Sequence, residues 1–179
     1  MRPTDVMTPS THPDSLLEAL LDSWDRSNTI LVNLLRALPE DSLELRPIAS
    51  SPSIAQLFTH IHYVRMVFIF EDAPDFAARL GIVVPRNEWA EEHDLARIAE
   101  LLNHSAVVVR EVIRDRLQAN RAMDLHYDHP ILFLQHMLWH EGYHHGQIKL
   151  ALKLAGRPLS DDEAGPLTWD IWMDKSDKH

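Results

Sequence analysis

Apolar residues recur every three or four positions along four stretches of the chain, the period of a helix buried on one face. In the first, Leu17, Leu20, Leu21, Trp24, Leu31, Leu34, Leu35 and Leu38 share a side. Asp14 or Ser15 is placed to cap its start, and Pro39 stops it. After the loop EDSLELRPIAS, Ser51-Pro52 offers a cap and a proline at the first helical position, where its missing N–H costs nothing. Ile54, Leu57, Ile61, Val64 and Phe68 then mark a second helix ending near Asp72. Residues 73–92 contain Pro74, Gly81 and Pro85 and lack a clean period, so they read as a long connection with at most a short helical turn. A connection of that length means the second and third helices need not form a simple hairpin. The third helix spans roughly 94–118, with Leu95, Ile98, Leu102, Val109 and Val112 inward. The fourth begins at Pro130, capped by Asp128 or His129, and runs to Ala155, with Gly156 and Pro158 closing it. Only Ile82-Val83-Val84 looks like a strand.

Four amphipathic helices around one core predict an all-α four-helix bundle. At 179 residues the chain has room for one well-buried core and is short for two domains. Residues 1–13, rich in Pro, Thr and Ser, read as a flexible lead, and 14–179 as a single domain. Its C-terminal extension carries Trp169 and Trp172, expected to pack back on the bundle. A formal charge of −10 argues against nucleic acid and anionic membrane surfaces as partners, since both demand a basic face. No apolar run approaches the roughly 20 residues a membrane span needs. With no signal-peptide pattern at the start, a cytoplasmic location is expected. Cysteine is absent, so no thiolate ligand or thiol nucleophile can come from the chain itself.

Histidine is the unusual residue. Six of the twelve (His126, His129, His136, His140, His144 and His145) fall between positions 126 and 145. On a helix turning about 100° per residue, His144 lies about +40° from His140, His136 about −40° and Gln147 about −20°. Phe133 and Ala151 flank this stripe, so it belongs to the buried face, whereas His145 sits about 140° away. Several imidazoles in a core are costly unless each finds a partner. A divalent ion satisfies them together, and histidines at i and i+4 grip it from adjacent turns. On the second helix, His60 falls about 60–80° from the centre of the apolar stripe and can enter the core edge as a third ligand, while His62 turns toward water. His93 and His104 read as surface residues; His12, His126, His129 and His179 have no stripe to support them.

His140-Glu141-Gly142-Tyr143-His144 also spells H-E-x-x-H, in which the glutamate is the base of a zinc peptidase. Glu163 downstream could then be the third ligand. The context argues otherwise: the chain offers almost no strand to hold a peptide substrate. The longer H-E-x-x-H-x-x-G-x-x-H pattern fails at Gln147 and Leu150. Glu141 is then read as a surface carboxylate, with a supporting role beside a ligand or a base role as alternatives. Gln147 is read as orienting a ligand or water, or as merely bonding to a neighbour.

The segment SIAQLFTHIHYVR, followed some eighty residues later by HEGYHHGQ, resembles the DinB-like (DinB/YfiT) superfamily. The likeness rests on His60, His140, His144, Gly146 and Gln147 and covers roughly 14–155. It implies a four-helix bundle of up-down-down-up order, commonly a homodimer. It also implies that His60, His140 and His144 hold a divalent metal ion: nickel, zinc, iron or manganese. Characterised relatives include S-transferases and isomerases that use mycothiol or bacillithiol. The implied activity is thus a metal-dependent transferase joining a low-molecular-weight thiol to a small electrophile. A non-catalytic, stress-associated metal-binding bundle and a metal-dependent hydrolase are the alternatives. Gly142 and Gly146, four apart and off the ligand stripe, suggest close approach of another helix or subunit.

Overall fold

The computed structural model describes residues 13–173. The expected flexible lead therefore lies outside the described residues except for Pro13, as do His12 and His179. All regular structure in the described residues is helical: α1 (Pro13–Arg36), α2 (Ile54–Asp72), α3 (Pro74–Leu80), α4 (Leu95–Gln118), α5 (Pro130–Leu154), α6 (Asp161–Leu167) and α7 (Trp169–Met173). Ile82–Val84 forms no strand.

The caps explain where the long helices begin. Ser53, not Ser51, starts α2. Its hydroxyl accepts from the Gln56 backbone N–H while the Gln56 side chain accepts from the Ser53 N–H, a reciprocal pair that Ser51-Pro52 cannot make. Asp94 caps α4 by accepting from the N–H groups of Ala96 and Arg97. His129 caps α5, its Nδ1 accepting from the Ile131 N–H. Gly156 then takes a φ of 71° just past the end of α5, a conformation glycine adopts without strain. Within the expected long connection, α3 is a distinct helix that ends at Gly81, with a φ of 62°.

The contacts give the directions of the four long helices. Trp24 Nε1 donates to the Ala106 carbonyl, and Asn28 pairs with Asn103, so α1 and α4 run oppositely. Gln56 and Thr59, early in α2, donate to the carbonyls of Trp89 and Ala90 just before α4. At its far end, Asp72 accepts from the Asp124 N–H just beyond α4. Hence α2 and α4 run the same way, with the α3 connection spanning the return. His60 faces His144 while Phe68 faces His136, so α5 opposes α2.

Most of α2 is buried, because it packs on both α4 and α5. That overturns the outward placement of His62, which is only 7% exposed. Burial, then the nearby Arg65, pushes its pKa down to about 4 against an opposing backbone contact at Leu101, so it sits in the interior as a neutral ring. Leu95 corrects in the other direction, being largely exposed at the start of α4. At the C-terminal end α7 lies against α1, where Arg26 donates to the Ile171 carbonyl; Trp169 and Trp172 remain partly exposed.

The core divides into two apolar clusters. One gathers Leu21, Trp24, Ile69, Val109, Val112 and Phe133; the other gathers Leu34, Leu57, Ile61, Leu102, Ile148 and Leu152. On each long helix one buried polar residue falls near the changeover: Asn28 on α1, Arg65 on α2, Ser105 on α4 and Glu141 on α5. Arg65, fully buried, makes a two-pronged pair with Glu141, Nε to Oε1 at 2.7 Å and Nη2 to Oε2 at 2.8 Å. Its Nη1 reaches Asn28 Oδ1, the Leu102 carbonyl and Ser105 Oγ, and the guanidinium lies 4.7 Å from the centre of the Trp24 ring. One side chain thus ties all four long helices together.

Removing one member of such a pair strands the other charge in the interior. Arg65→Met and Glu141→Leu alone should each lower unfolding free energy by about 3–5 kcal/mol, and the double variant should lose less than the sum. Urea denaturation of the four proteins measures this; fully additive losses would remove Arg65–Glu141 as the link.

Candidate metal centre

α2 and α5 cross so that His60, His140 and His144 point into one space. His140 Nε2 lies 3.2 Å from His60 Nε2 and 3.0 Å from His144 Nε2. One ligand atom from each ring lies within 4.8 Å of the others, and together the three could hold a metal ion. The chemistry of this donor set fits. Two imidazole nitrogens bound about 2.1 Å from one ion, at roughly 90–100°, would stand about 3.0–3.2 Å apart. Without a shared cation, converging Nε2 lone pairs repel unless one ring turns a proton inward.

The rings are held in a state suited to ligation. Gln147 Oε1 lies 2.7 Å from His144 Nδ1, and because the amide oxygen only accepts, the proton of neutral His144 sits on Nδ1. Its Nε2 is then a free donor to a metal. Gln147 Nε2 in turn donates to the Tyr143 hydroxyl, which fixes the amide's orientation. Gln147 thus bonds to two neighbours on its own helix, His144 and Tyr143. His60 stacks on Trp89 with ring centres 4.0 Å apart, and Glu88 Oε1 lies 3.3 Å from its Nδ1. Burial, reinforced by the neighbouring His144, pushes the His60 pKa down to about 4. Burial and then His144, His60 and His136 push that of His140 to about 3. His144 is lowered too, by burial, against the raising effect of Gln147. All three are therefore neutral near pH 7, as ligands must be.

Glu141 departs most from its sequence reading. It is no surface carboxylate: it is 3% exposed, and both oxygens are taken by Arg65. A carboxylate so neutralised is no free base, which removes the chemical core of the H-E-x-x-H peptidase reading. Glu163, the other residue of that reading, is spent capping α6, where it accepts from Ser160 N–H and Oγ.

The other histidines go elsewhere. His145 lines a cleft of about 270 Å³ with Ser27, Leu31, Leu138 and Trp172, on a different side of α5. His104 is exposed, and exposed His93 pairs with Glu44. His126 binds Asp72, and His129 is spent as a cap. His136, on the ligand stripe, bonds through Nδ1 to the Tyr127 hydroxyl at 2.7 Å instead of joining the triad. Sequence reading passed over Arg65, Trp89 and Tyr127. Arg65 did carry a signal, as the one Lys or Arg of α2, five residues after His60.

A model of the DinB family matches residues 7–172. The chain belongs to the DinB family. Comparison with curated proteins and with solved structures found no match. Membership and the three converging histidines together make this a DinB-family chain with a site able to bind metal; among the described residues no helix is long and apolar enough to cross a membrane.

Metal analysis of purified variants tests the site. His140→Ala should abolish near-stoichiometric metal, and His145→Ala should leave it intact. Gln147→Leu should weaken affinity about 10–100-fold by freeing the His144 ring. Unchanged metal content in His140→Ala would remove the assignment.

Proposed function

We propose that this DinB-family chain binds a divalent metal ion through His60, His140 and His144. We further propose that it transfers a low-molecular-weight thiol, of the mycothiol or bacillithiol type, to a small electrophile. The observation that carries the reading is the convergence of three neutral Nε2 atoms with no fourth protein ligand among the described residues, the pattern of a catalytic rather than a structural site. When bound, such an ion would supply a positive charge that lowers the pKa of an incoming thiol. In the transfer, the thiol loses its proton to solvent and sulfur forms a bond to electrophilic carbon. The displaced electron pair leaves with a leaving group or moves onto an adjacent carbonyl.

The chain's own residues prepare that step. Gln147 holds His144 in its ligating tautomer, and Trp89 fixes the plane of His60 by stacking. Arg65 cancels the charge of Glu141, so that carboxylate does not repel a thiolate. The absence of cysteine is compatible with a thiol supplied from outside. The helix directions support a four-helix bundle of up-down-down-up order as the scaffold.

We also propose a homodimer through the outward face of α5. Leu132, Trp139, Tyr143, Leu150 and Leu154 are all exposed and lie within about 60° of one another around the helix. Gly142 and Gly146 leave open space beside them, since a Cβ at either would meet nothing within 4 Å. Glu141, the one acidic residue of α5, is buried, so α5 presents no carboxylate to a second copy along this face.

Two measurements follow. Metal-loaded protein with model electrophiles should consume thiol, and His140→Ala should reduce the rate to background. Turnover without thiol would indicate metal-assisted hydrolysis, and no turnover in either assay a binding role; either excludes the transferase. In sedimentation velocity, Gly142→Ala with Gly146→Ala should shift mass toward monomer, and an unchanged dimer would exclude this face.

A further inference from the structure

One polar group on the ligand stripe plays no part in holding the triad. His136 lies one turn before His140 on α5, and their ring centres are 6.4 Å apart. Its Nδ1 is committed to Tyr127, which does not belong to α5 but to the segment joining α4 to α5. That segment is anchored with unusual thoroughness. Asp72, fully buried at the end of α2, accepts from the backbone N–H groups of Leu125 and His126 and bonds the His126 ring at 2.8 Å. The Asp72 carbonyl accepts from the Asp124 N–H. Tyr127 is thereby held against Phe68, Phe133 and His136. Burial and the nearby Asp72 charge push the Tyr127 pKa up to about 12, so its hydroxyl keeps its proton.

The Tyr127 hydroxyl can donate to Nδ1 or accept from it, and donation gives its proton the one hydrogen-bond partner it has among the described residues. The His136 proton then sits on Nε2, on the opposite edge of the ring from Tyr127. Among the described residues Nε2 has no hydrogen-bond partner, although the ring is half-buried. Of the other polar groups around the triad, Glu141 is engaged with Arg65, Gln147 with His144 and Tyr143, and Glu88 faces Nδ1 of His60. His136 is thus an oriented, unspent N–H donor beside the ligand set, with the exposed Trp139 ring 6.4 Å away on its outer side.

We propose that His136, held by Tyr127, is a positioning residue that donates from Nε2 to a carbonyl or carboxylate oxygen of the substrate seated against His60, His140 and His144. The substrate class is therefore an electrophile that carries such an oxygen. This rests on the metal-site reading given above. A donor fixed before binding orients that oxygen without reorganisation, which is where a hydrogen bond contributes most.

Cobalt-loaded protein titrated with acetate, a minimal carboxylate, tests this through the cobalt d–d absorption and needs no turnover. Wild type, His136→Phe, His136→Gln and Tyr127→Phe should all take up cobalt equally. Acetate should bind about tenfold more weakly to His136→Phe and Tyr127→Phe, as expected for losing a hydrogen bond to a charged group. His136→Gln, which keeps an N–H donor, should recover most of that loss, a recovery that a merely structural role would not give. Tyr127→Phe removes a single hydroxyl and keeps the test open if the His136 variants fold poorly. The proposal is overturned if acetate does not bind wild type, if its affinity is unchanged in His136→Phe and Tyr127→Phe, or if glutamine performs no better than phenylalanine. It is overturned also if His136→Phe loses cobalt, which would make His136 a ligand. Failure of the metal-site reading is separately visible, because wild type would then show no d–d bands before acetate is added.

Discussion

The buried pairing of Arg65 with Glu141 governs the arrangement of everything around it. Taking two charges out of water costs several kcal/mol per ion, and the attraction between them returns this only with good geometry and further hydrogen bonds. Here both carboxylate oxygens are engaged, and the guanidinium also reaches Asn28, Ser105, the Leu102 carbonyl and the face of Trp24. Apolar residues of equal volume would serve stability at least as well. What they would not supply is register: a leucine tolerates sliding past its neighbour, whereas a two-pronged ion pair does not. The pair locks α2 against α5 at the level where His60 must face His140, five residues before Arg65 and one before Glu141.

That lock bears on the histidines because their own packing is unfavourable without an ion. Three neutral rings converge on one point, where His140 Nε2 lies 3.2 Å from His60 Nε2 and 3.0 Å from His144 Nε2 and the three nitrogens have only one another as partners among the described residues. Unmet polar atoms of this kind cost on the order of 1–3 kcal/mol each. They persist because neighbours over-determine their positions: Trp89 clamps His60, Gln147 clamps His144, and the ion pair fixes the helices that carry them. Local frustration at a site held rigid by its surroundings is the expected signature of a place built to receive a ligand.

How much of this could be read from the sequence depended on how many sides of each helix are buried. α1, α4 and α5 each keep an outer face, so the helical period located them within a few residues and put His140, His144 and Gln147 on one stripe. α2 packs on two neighbours, and a helix apolar on most sides has no stripe from which to measure angles. His60 was still placed inward, but His62 was sent to solvent when the structure buries it. Ser51 was read as the cap of α2 because Pro52 follows it, whereas the reciprocal bonds with Gln56 put the cap at Ser53. Glu141 failed for another reason. Its partner is 76 residues away, and nothing local to HEGYHH reveals that a buried arginine awaits it.

The correction to Glu141 changes the chemistry available, not only the inventory. Had that carboxylate been free, it would have added a negative charge beside the ion and offered a base for activating water, the arrangement of a metal hydrolase. Paired with Arg65, it contributes neither. Three neutral imidazoles would leave the charge of a bound divalent ion undiminished. The same ion pair that sets the register of α2 against α5 therefore also takes away the free base on which the peptidase reading of its five-letter motif depends.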